Sequence, residues 1–268
     1  MSKLGISLIL PVLNEAKNLE YFIPKFSEVL ENKLSKNFEI IVVDDNSNDN
    51  TENVINNFQK LGYSIVYILR NDEKSLPLSI FEGVKKSNFE AVMWLDADGS
   101  MDEKAVENLI KNYLEHPEDV FVGSRFVPGG GYKGLDKDNK NDITKTFNRL
   151  LNSEESILAV TLSKYFNSLL SKILKVNVND LTSGFIIGKR KYFNKEMFQG
   201  FAYGEYFIDI IVQLHIKKIK IKEIGYYCNM RKFGSSKSSE NLFKMILLSI
   251  PYIQTAYKAR KIKHDYSW

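Results

Sequence analysis

The chain has 268 residues, 44% apolar and 26% charged, a size and balance that fit one large globular domain or one domain with an appendage. Its 37 basic and 33 acidic side chains leave a formal charge of +4, too small an excess to mark a nucleic-acid binder. A single cysteine, Cys228, excludes an internal disulfide and a cysteine-built zinc site, and His116, His215 and His264 form no cluster at metal-ligand spacing.

Residues 4–10 read as a first strand, stopped by Pro11. Leu19, Phe22, Ile23, Phe26 and Leu30 follow at helical spacing, and Pro24 inside that pattern implies a kink or a fresh start. Phe38 to Val43 is a second strand that ends in Asp44-Asp45. The run Asn46-Ser47-Asn48-Asp49-Asn50-Thr51 is dense in turn and capping residues, so a helix begins there. Ser64 to Leu69 reads as a strand, Leu78 to Val84 as a helix, Ala91 to Leu95 as a fourth strand, Glu103 to Leu114 as a helix and Val120 to Gly123 as a fifth strand. Strands alternating with helices imply βαβ units and a mainly parallel sheet, so residues 1–125 read as a nucleotide-binding half-fold.

The alternation breaks at Pro128-Gly129-Gly130-Gly131, and the polar stretch within 128–160 reads as a mobile loop with a short helix near Thr144 to Leu151. Leu162, Tyr165, Phe166, Leu169, Leu170, Ile173 and Leu174 trace one helical face. Gly184 to Gly188 and Ile219 to Tyr227 read as strands, with a helix from Glu205 to Ile216 between them. Asn241 to Lys258 is a last amphipathic helix, followed by a basic tail of Lys258, Arg260, Lys261 and Lys263. The expected organisation is one domain over 1–238, in halves 1–125 and 126–238, with a helical extension over 239–268. No run approaches the ~20 apolar residues that span a bilayer, and no secretory leader is expected ahead of Pro11. A cytoplasmic location is the expectation.

The chemistry centres on Trp94-Leu95-Asp96-Ala97-Asp98-Gly99. An apolar strand here runs into two acids at the carboxyl edge of the sheet, where open α/β folds bind ligands. Two neighbouring carboxylates stay ionised cheaply only beside a cation. Mg²⁺ and Mn²⁺ take such oxygen ligands together with phosphate oxygens. A metal–diphosphate site is the sharper reading, and a solvated acidic turn the plainer one.

Four motifs then fall in order at predicted strand ends: Pro11-Val12-Leu13-Asn14-Glu15, Val43-Asp44-Asp45 with its Asn/Ser/Asp run, Leu95-Asp96-Ala97-Asp98-Gly99, and Gly123-Ser124-Arg125-Phe126. Asp180-Leu181-Thr182-Ser183-Gly184-Phe185 and Arg231-Lys232-Phe233-Gly234-Ser235-Ser236-Lys237 follow. Together these resemble the family 2 glycosyltransferases of GT-A fold, in particular the dolichyl- and polyprenyl-phosphate sugar synthases, over roughly residues 5–255. One departure stands out: Lys74-Ser75-Leu76-Pro77-Leu78-Ser79 replaces the Gly-Leu-Gly type of turn usual after the third strand.

The resemblance implies a Rossmann-like, mainly parallel sheet flanked by helices. It further implies a metal-dependent, inverting transfer of sugar from a UDP- or GDP-linked donor to a polyprenyl phosphate, with Mg²⁺ or Mn²⁺ as cofactor. Asp98 and Asp96 would hold the metal, Arg231 and Lys237 would add positive charge at the diphosphate, and Pro11, Asn14, Glu15, Asp44 and Asp45 would bind the rest of the donor. Arg125, Ser183 and Lys175 would bind the acceptor. A hydroxyl acceptor, as in glycan extension, would instead need a base, and Glu205, with Asp209 behind it, is the candidate. A non-catalytic sugar-nucleotide-binding subunit is a further alternative. Lipid transfer also asks for peripheral contact with a membrane surface, for which the helices near 161–175 and 242–253 and the basic tail are the candidates.

Overall fold

The structure is a computed structural model, and it describes residues 5–133, 157–229 and 242–265. The expected helix near Thr144 to Leu151 lies outside the described residues, as do Arg231 and Lys237.

The strands are β1 (Ile6–Val12), β2 (Phe38–Asp44), β3 (Ile65–Leu69), β4 (Ala91–Trp94), β5 (Val120–Ser124), β6 (Gly131–Tyr132), β7 (Ile186–Lys189), β8 (Ile221–Gly225) and β9 (Tyr227–Cys228). The described α-helices are α1 (Ala16–Leu34), α2 (Thr51–Lys60), α3 (Leu76–Lys86), α4 (Glu103–Glu115), α5 (Ile157–Leu174), α6 (Tyr206–Ile216) and α7 (Leu242–Asp265). Seven strands form one sheet in the order β3-β2-β1-β4-β7-β5-β8, and β6 pairs with β9 beside it.

Every pairing in the large sheet is parallel except those of β7, which runs antiparallel to both β4 and β5. The strands read as continuous apolar runs because helices cover both faces. Ile6, Leu8 and Leu10 of β1 pack on one side with Ile40, Val42 and Met93, while Ile9 packs on the other with Ile41, Val43 and Trp94. At the amino edge Glu39, 5% exposed, accepts from Ser7 Oγ at 2.6 Å and from Asn88 N at 2.7 Å. This buried acid ties β1 and β2 to the start of β4.

Four local expectations need correction. Strand β1 runs through Pro11 to Val12. Val12 O accepts from Asp45 N of the β2 side, so the preceding Pro11 turns its nitrogen toward β4, which pairs only as far as Ile9. The missing N–H therefore costs no ladder bond. Helix α1 runs through Pro24 as one element, with no fresh start, because Leu19, Phe22 and Ile23 before it and Phe26 and Leu30 after it bury one uninterrupted stripe. On α5 the apolar face divides: Leu170 and Leu174 are buried, whereas Leu162, Tyr165 and Leu169 are exposed. The stripe spans about half the helix circumference, wider than the core covers. The basic tail is no tail: α7 continues through Pro251 and through Lys258, Arg260, Lys261 and Lys263 to Asp265. It packs through Thr255, Ala256 and Ala259 against α6 and α5.

Candidate active site

Strand order decides where the site lies. From β1 the chain winds one way through β2 to β3, then crosses back so that β4 pairs with the other side of β1. This reversal between β1 and β4 is the topological switch point at which open α/β sheets bind ligands. A cleft of about 880 Å³ opens there. Its walls come from the residues after β1 (Pro11, Asn14, Glu15), after β2 (Asp45, Asn48), before and within α3 (Lys74, Ser75, Ser79), after β4 (Asp96, Asp98) and before α6 (Ala202, Tyr203).

Asp98 is 6% exposed, and its Oδ1 accepts from Ser100 N at 2.9 Å. Gly99 makes the turn between them with φ +84°, and a Cβ there would lie 2.5 Å from the Phe22 ring, so only glycine fits. Behind Asp96, Trp94 donates from Nε1 to Tyr206 Oη at 3.1 Å and meets Phe193 edge-on at 4.9 Å. This buried aromatic platform fixes the end of β4. Among the described residues no three metal-ligating side chains converge. The Asp96/Asp98 pair is thus a set of hard oxygen donors that a diphosphate would complete. That donor set fits Mg²⁺ or Mn²⁺, which bind through one or two carboxylates plus substrate oxygens.

The first two motifs are laced together. Asn14, at φ +60°, donates its N–H to Ser47 Oγ at 2.8 Å and accepts from Asn48 N at 2.8 Å. Asp49, two residues before the first residue of α2, accepts from Thr51 N at 3.0 Å and also takes Ala16 N at 3.1 Å. Asp44 stands apart from the cleft. It is 1% exposed, with Oδ1 on Ser47 N at 2.8 Å and Oδ2 on Tyr67 Oη at 2.8 Å, so its carboxylate braces the loop. Asp45 does line the cleft. Its Oδ1 pairs with buried Arg70, and its Oδ2 accepts from Ser75 N at 2.6 Å.

Arg70 also donates to Ser79 Oγ at 2.9 Å and to Glu73 O at 3.3 Å. The segment that departs from the Gly-Leu-Gly pattern is therefore an ordered wall, built as a Ser75 N-cap with Pro77 in the first turn of α3. Arg70 was not anticipated from the sequence. The serine-then-proline signal that places the start of α3 at Leu76 was present in it.

Two of the three acceptor-side candidates, Arg125 and Ser183, gather on the neighbouring edge, because antiparallel β7 delivers residues 180–185 to the carboxyl ends of β4 and β5. Arg125 does not present an open fork. Its Nε and NH2 both donate to Asp180, at 2.8 and 2.7 Å, and NH2 also reaches Thr182 Oγ1 at 2.8 Å. Burial opposes the guanidinium charge, and the Asp180 carboxylate more than restores it. The NH1 edge takes no hydrogen bond among the described residues. Ser183 Oγ donates to Gly123 O and accepts from Phe185 N, which makes it part of the turn into β7. Lys175 is the left-handed residue, φ +50°, that ends α5.

Glu205, 4% exposed, accepts from Ala202 N at 2.7 Å and Tyr203 N at 3.1 Å, holding the wall of the cleft ahead of α6. Burial pushes the Asp209 carboxyl above its ordinary range, against the hydrogen bond from Gln213. A carboxyl raised in the folded state favours the protonated form. The penalty is absent below the unfolded value and stability is lost as pH rises through the folded one. Asp209→Asn should therefore melt higher than the parent at pH 7, with the gain vanishing toward pH 4; equal gains at both pH values would contradict this assignment.

The chain leaves the described residues at Asn229, whose N–H donates to Ser100 O at 2.9 Å. Asn229 thus lies beside the loop that carries Asp98. Among the described residues no helix is long and apolar enough to cross a membrane.

A sequence profile of glycosyl transferase family 2 matches residues 7–196. A dolichol-phosphate mannosyltransferase of Pyrococcus furiosus is 27% identical over 234 residues, which are 87% of this chain and 58% of that protein. The corresponding enzyme of Saccharomyces cerevisiae is 23% identical over 239 residues, 87% of this chain and 80% of that one. Glucosyl-3-phosphoglycerate synthase from Mycobacterium tuberculosis, solved with Mn²⁺, UDP and glucosyl-3-phosphoglycerate, is similar with a TM-score of 0.64 at 16% identity, covering 96% of this chain and 80% of that one. This last similarity is one of fold: a mainly parallel sheet flanked by helices.

Proposed function

The chain belongs to glycosyl transferase family 2, and from that premise we propose that it moves a sugar, with inversion, from a nucleoside-diphosphate sugar to a polyprenyl phosphate. One observation carries the donor half of this reading: Asp96 and Asp98 share a cleft at the switch point with Asn14, Asp45 and Lys74. The curated relatives, named as dolichol-phosphate mannosyltransferases, support the acceptor half.

The bond from the anomeric carbon to the diphosphate breaks, and a phosphate oxygen of the acceptor forms the new one. The acceptor is already an anion, so no base takes a proton. A divalent cation held by Asp98 and Asp96 would offset the charge gathering on the leaving diphosphate. Lys74, in the cleft wall, adds positive charge on the nucleotide side, and Arg231 and Lys237 are assigned the same role. The Arg70–Asp45–Ser75 brace orients the wall against which the nucleoside lies. On the other flank, Arg125 is held by Asp180 with its NH1 edge left for the acceptor phosphate. Glu205 gives little support to a hydroxyl acceptor, because both its oxygens already accept backbone N–H groups.

Membrane contact belongs to the same proposal. Leu162, Tyr165 and Leu169 of α5 and Ile250, Ile253 and Tyr257 of α7 are exposed, and Lys164, Lys172, Lys258, Arg260 and Lys261 lie on the same two helices. An apolar surface flanked by cations suits an anionic lipid interface.

The test is nucleoside diphosphate release from a panel of UDP- and GDP-sugars with Mn²⁺ or Mg²⁺. It is run without lipid, and with polyprenyl phosphate in anionic or neutral vesicles. Release with one donor only when lipid phosphate and metal are both present, faster on anionic vesicles, is the expected result. Release that ignores the lipid but responds to a glycan would overturn the acceptor assignment.

A further inference from the structure

We propose that Tyr252, on the C-terminal helix, is an acceptor-binding residue whose phenol donates a hydrogen bond to the attacking phosphate oxygen. The inference rests on the proposed function and adds a residue from a helix outside the matched family region, which ends at residue 196.

The geometry singles this side chain out. Tyr252 reaches from α7 across Gly204, where a Cβ would lie 2.3 Å from its Oη. Gly204 sits between Tyr203, which lines the donor cleft, and Glu205, which braces that wall. The Tyr252 ring meets Phe166 of α5 edge-on at 6.4 Å, so two helices fix its direction. Its hydroxyl takes no hydrogen-bond partner among the described residues. Burial keeps the phenol protonated, Tyr203, Glu205 and Asp96 reinforce this, and Arg125 opposes it. Among the described residues the hydroxyl is therefore a donor without an acceptor, set over Gly204 beside the cleft wall. Under the proposed function the attacking oxygen passes from the Arg125 side to a sugar held on the Asp96 side, along the wall that Tyr203 and Gly204 form. A neutral O–H donor is suited to that position, because it binds an anion without adding a charge beside Arg125.

The test compares Tyr252→Phe and Gly204→Ala with the parent, using a short-chain polyprenyl phosphate. Tyr252→Phe keeps the ring against Phe166 and removes only the donor. Acceptor KM should rise about tenfold, the usual effect of losing a hydrogen bond to a charged group, while nucleotide Kd, donor KM and melting temperature stay unchanged. Gly204→Ala should displace the hydroxyl and raise acceptor KM in the same way. In the Tyr252→Phe background it should add little, because the next ring atom lies 3.4 Å from the new Cβ. An unchanged acceptor KM in Tyr252→Phe overturns the inference, as do equal shifts in donor and acceptor KM, which would mark a merely structural role. A parent protein that does not use the lipid phosphate overturns the proposed function, and this inference with it.

Discussion

Asp98→Asn should lower sugar transfer about a thousandfold, equivalent to ~4 kcal/mol of transition-state stabilisation. Asparagine is nearly isosteric, and its Oδ1 can still accept from Ser100 N, which Asp98 does at 2.9 Å, so the turn at Gly99 should survive. What disappears is one of the two carboxylates that follow β4. Metal-dependent nucleotide binding should weaken in parallel, while nucleotide binding without metal changes little. Steady-state transfer and calorimetric titration of the nucleotide with and without Mn²⁺ read the two effects. Transfer within tenfold of the parent would remove Asp98 from the role of principal metal ligand.

The second large effect is on stability. Asp180→Ala should destabilise the fold by about 3–5 kcal/mol, the range for breaking a buried ion pair from one side. Asp180 is fully buried and Arg125 has a side-chain exposure of only 16%. Removing the acid strands a guanidinium whose residue gives Asp180 two side-chain bonds and one backbone bond. The pair also joins the end of β5 to the segment entering β7, so its loss loosens the antiparallel insertion in the sheet. Urea unfolding followed by circular dichroism measures the change. A loss below 1 kcal/mol would mean that Arg125 finds solvent or another partner, and that Asp180 is no brace.

Much of this architecture is legible in the amino-acid sequence. Alternating apolar runs and amphipathic stretches set the βαβ order of residues 1–125, because both features follow from one-dimensional periodicity. The acids after β4 and the Asn/Asp-rich turn after β2 could be placed at strand ends, since turn chemistry is local. What could not be read was which of those carboxylates were already engaged. Asp44 and Asp45 are neighbours of identical type, yet Asp44 is closed off by Ser47 and Tyr67 while Asp45 lines the cleft. Glu205 is a candidate base by residue type, but two backbone N–H groups occupy it.

The sequence by itself determined the strand–helix alternation, the sheet edge at which the motif residues gather and the residue types offered there, because these depend on neighbours along the chain. The tertiary structure decided the rest. The antiparallel course of β7 brought Asp180 to Arg125 across 55 residues. The packing of α7 on α6 and α5 carried Tyr252 to Gly204. Arg70 was folded inward to hold Asp45 and the segment around Ser75. Each of these juxtapositions depends on how elements dock, and no local pattern encodes the sheet order and helix packing that make them meet.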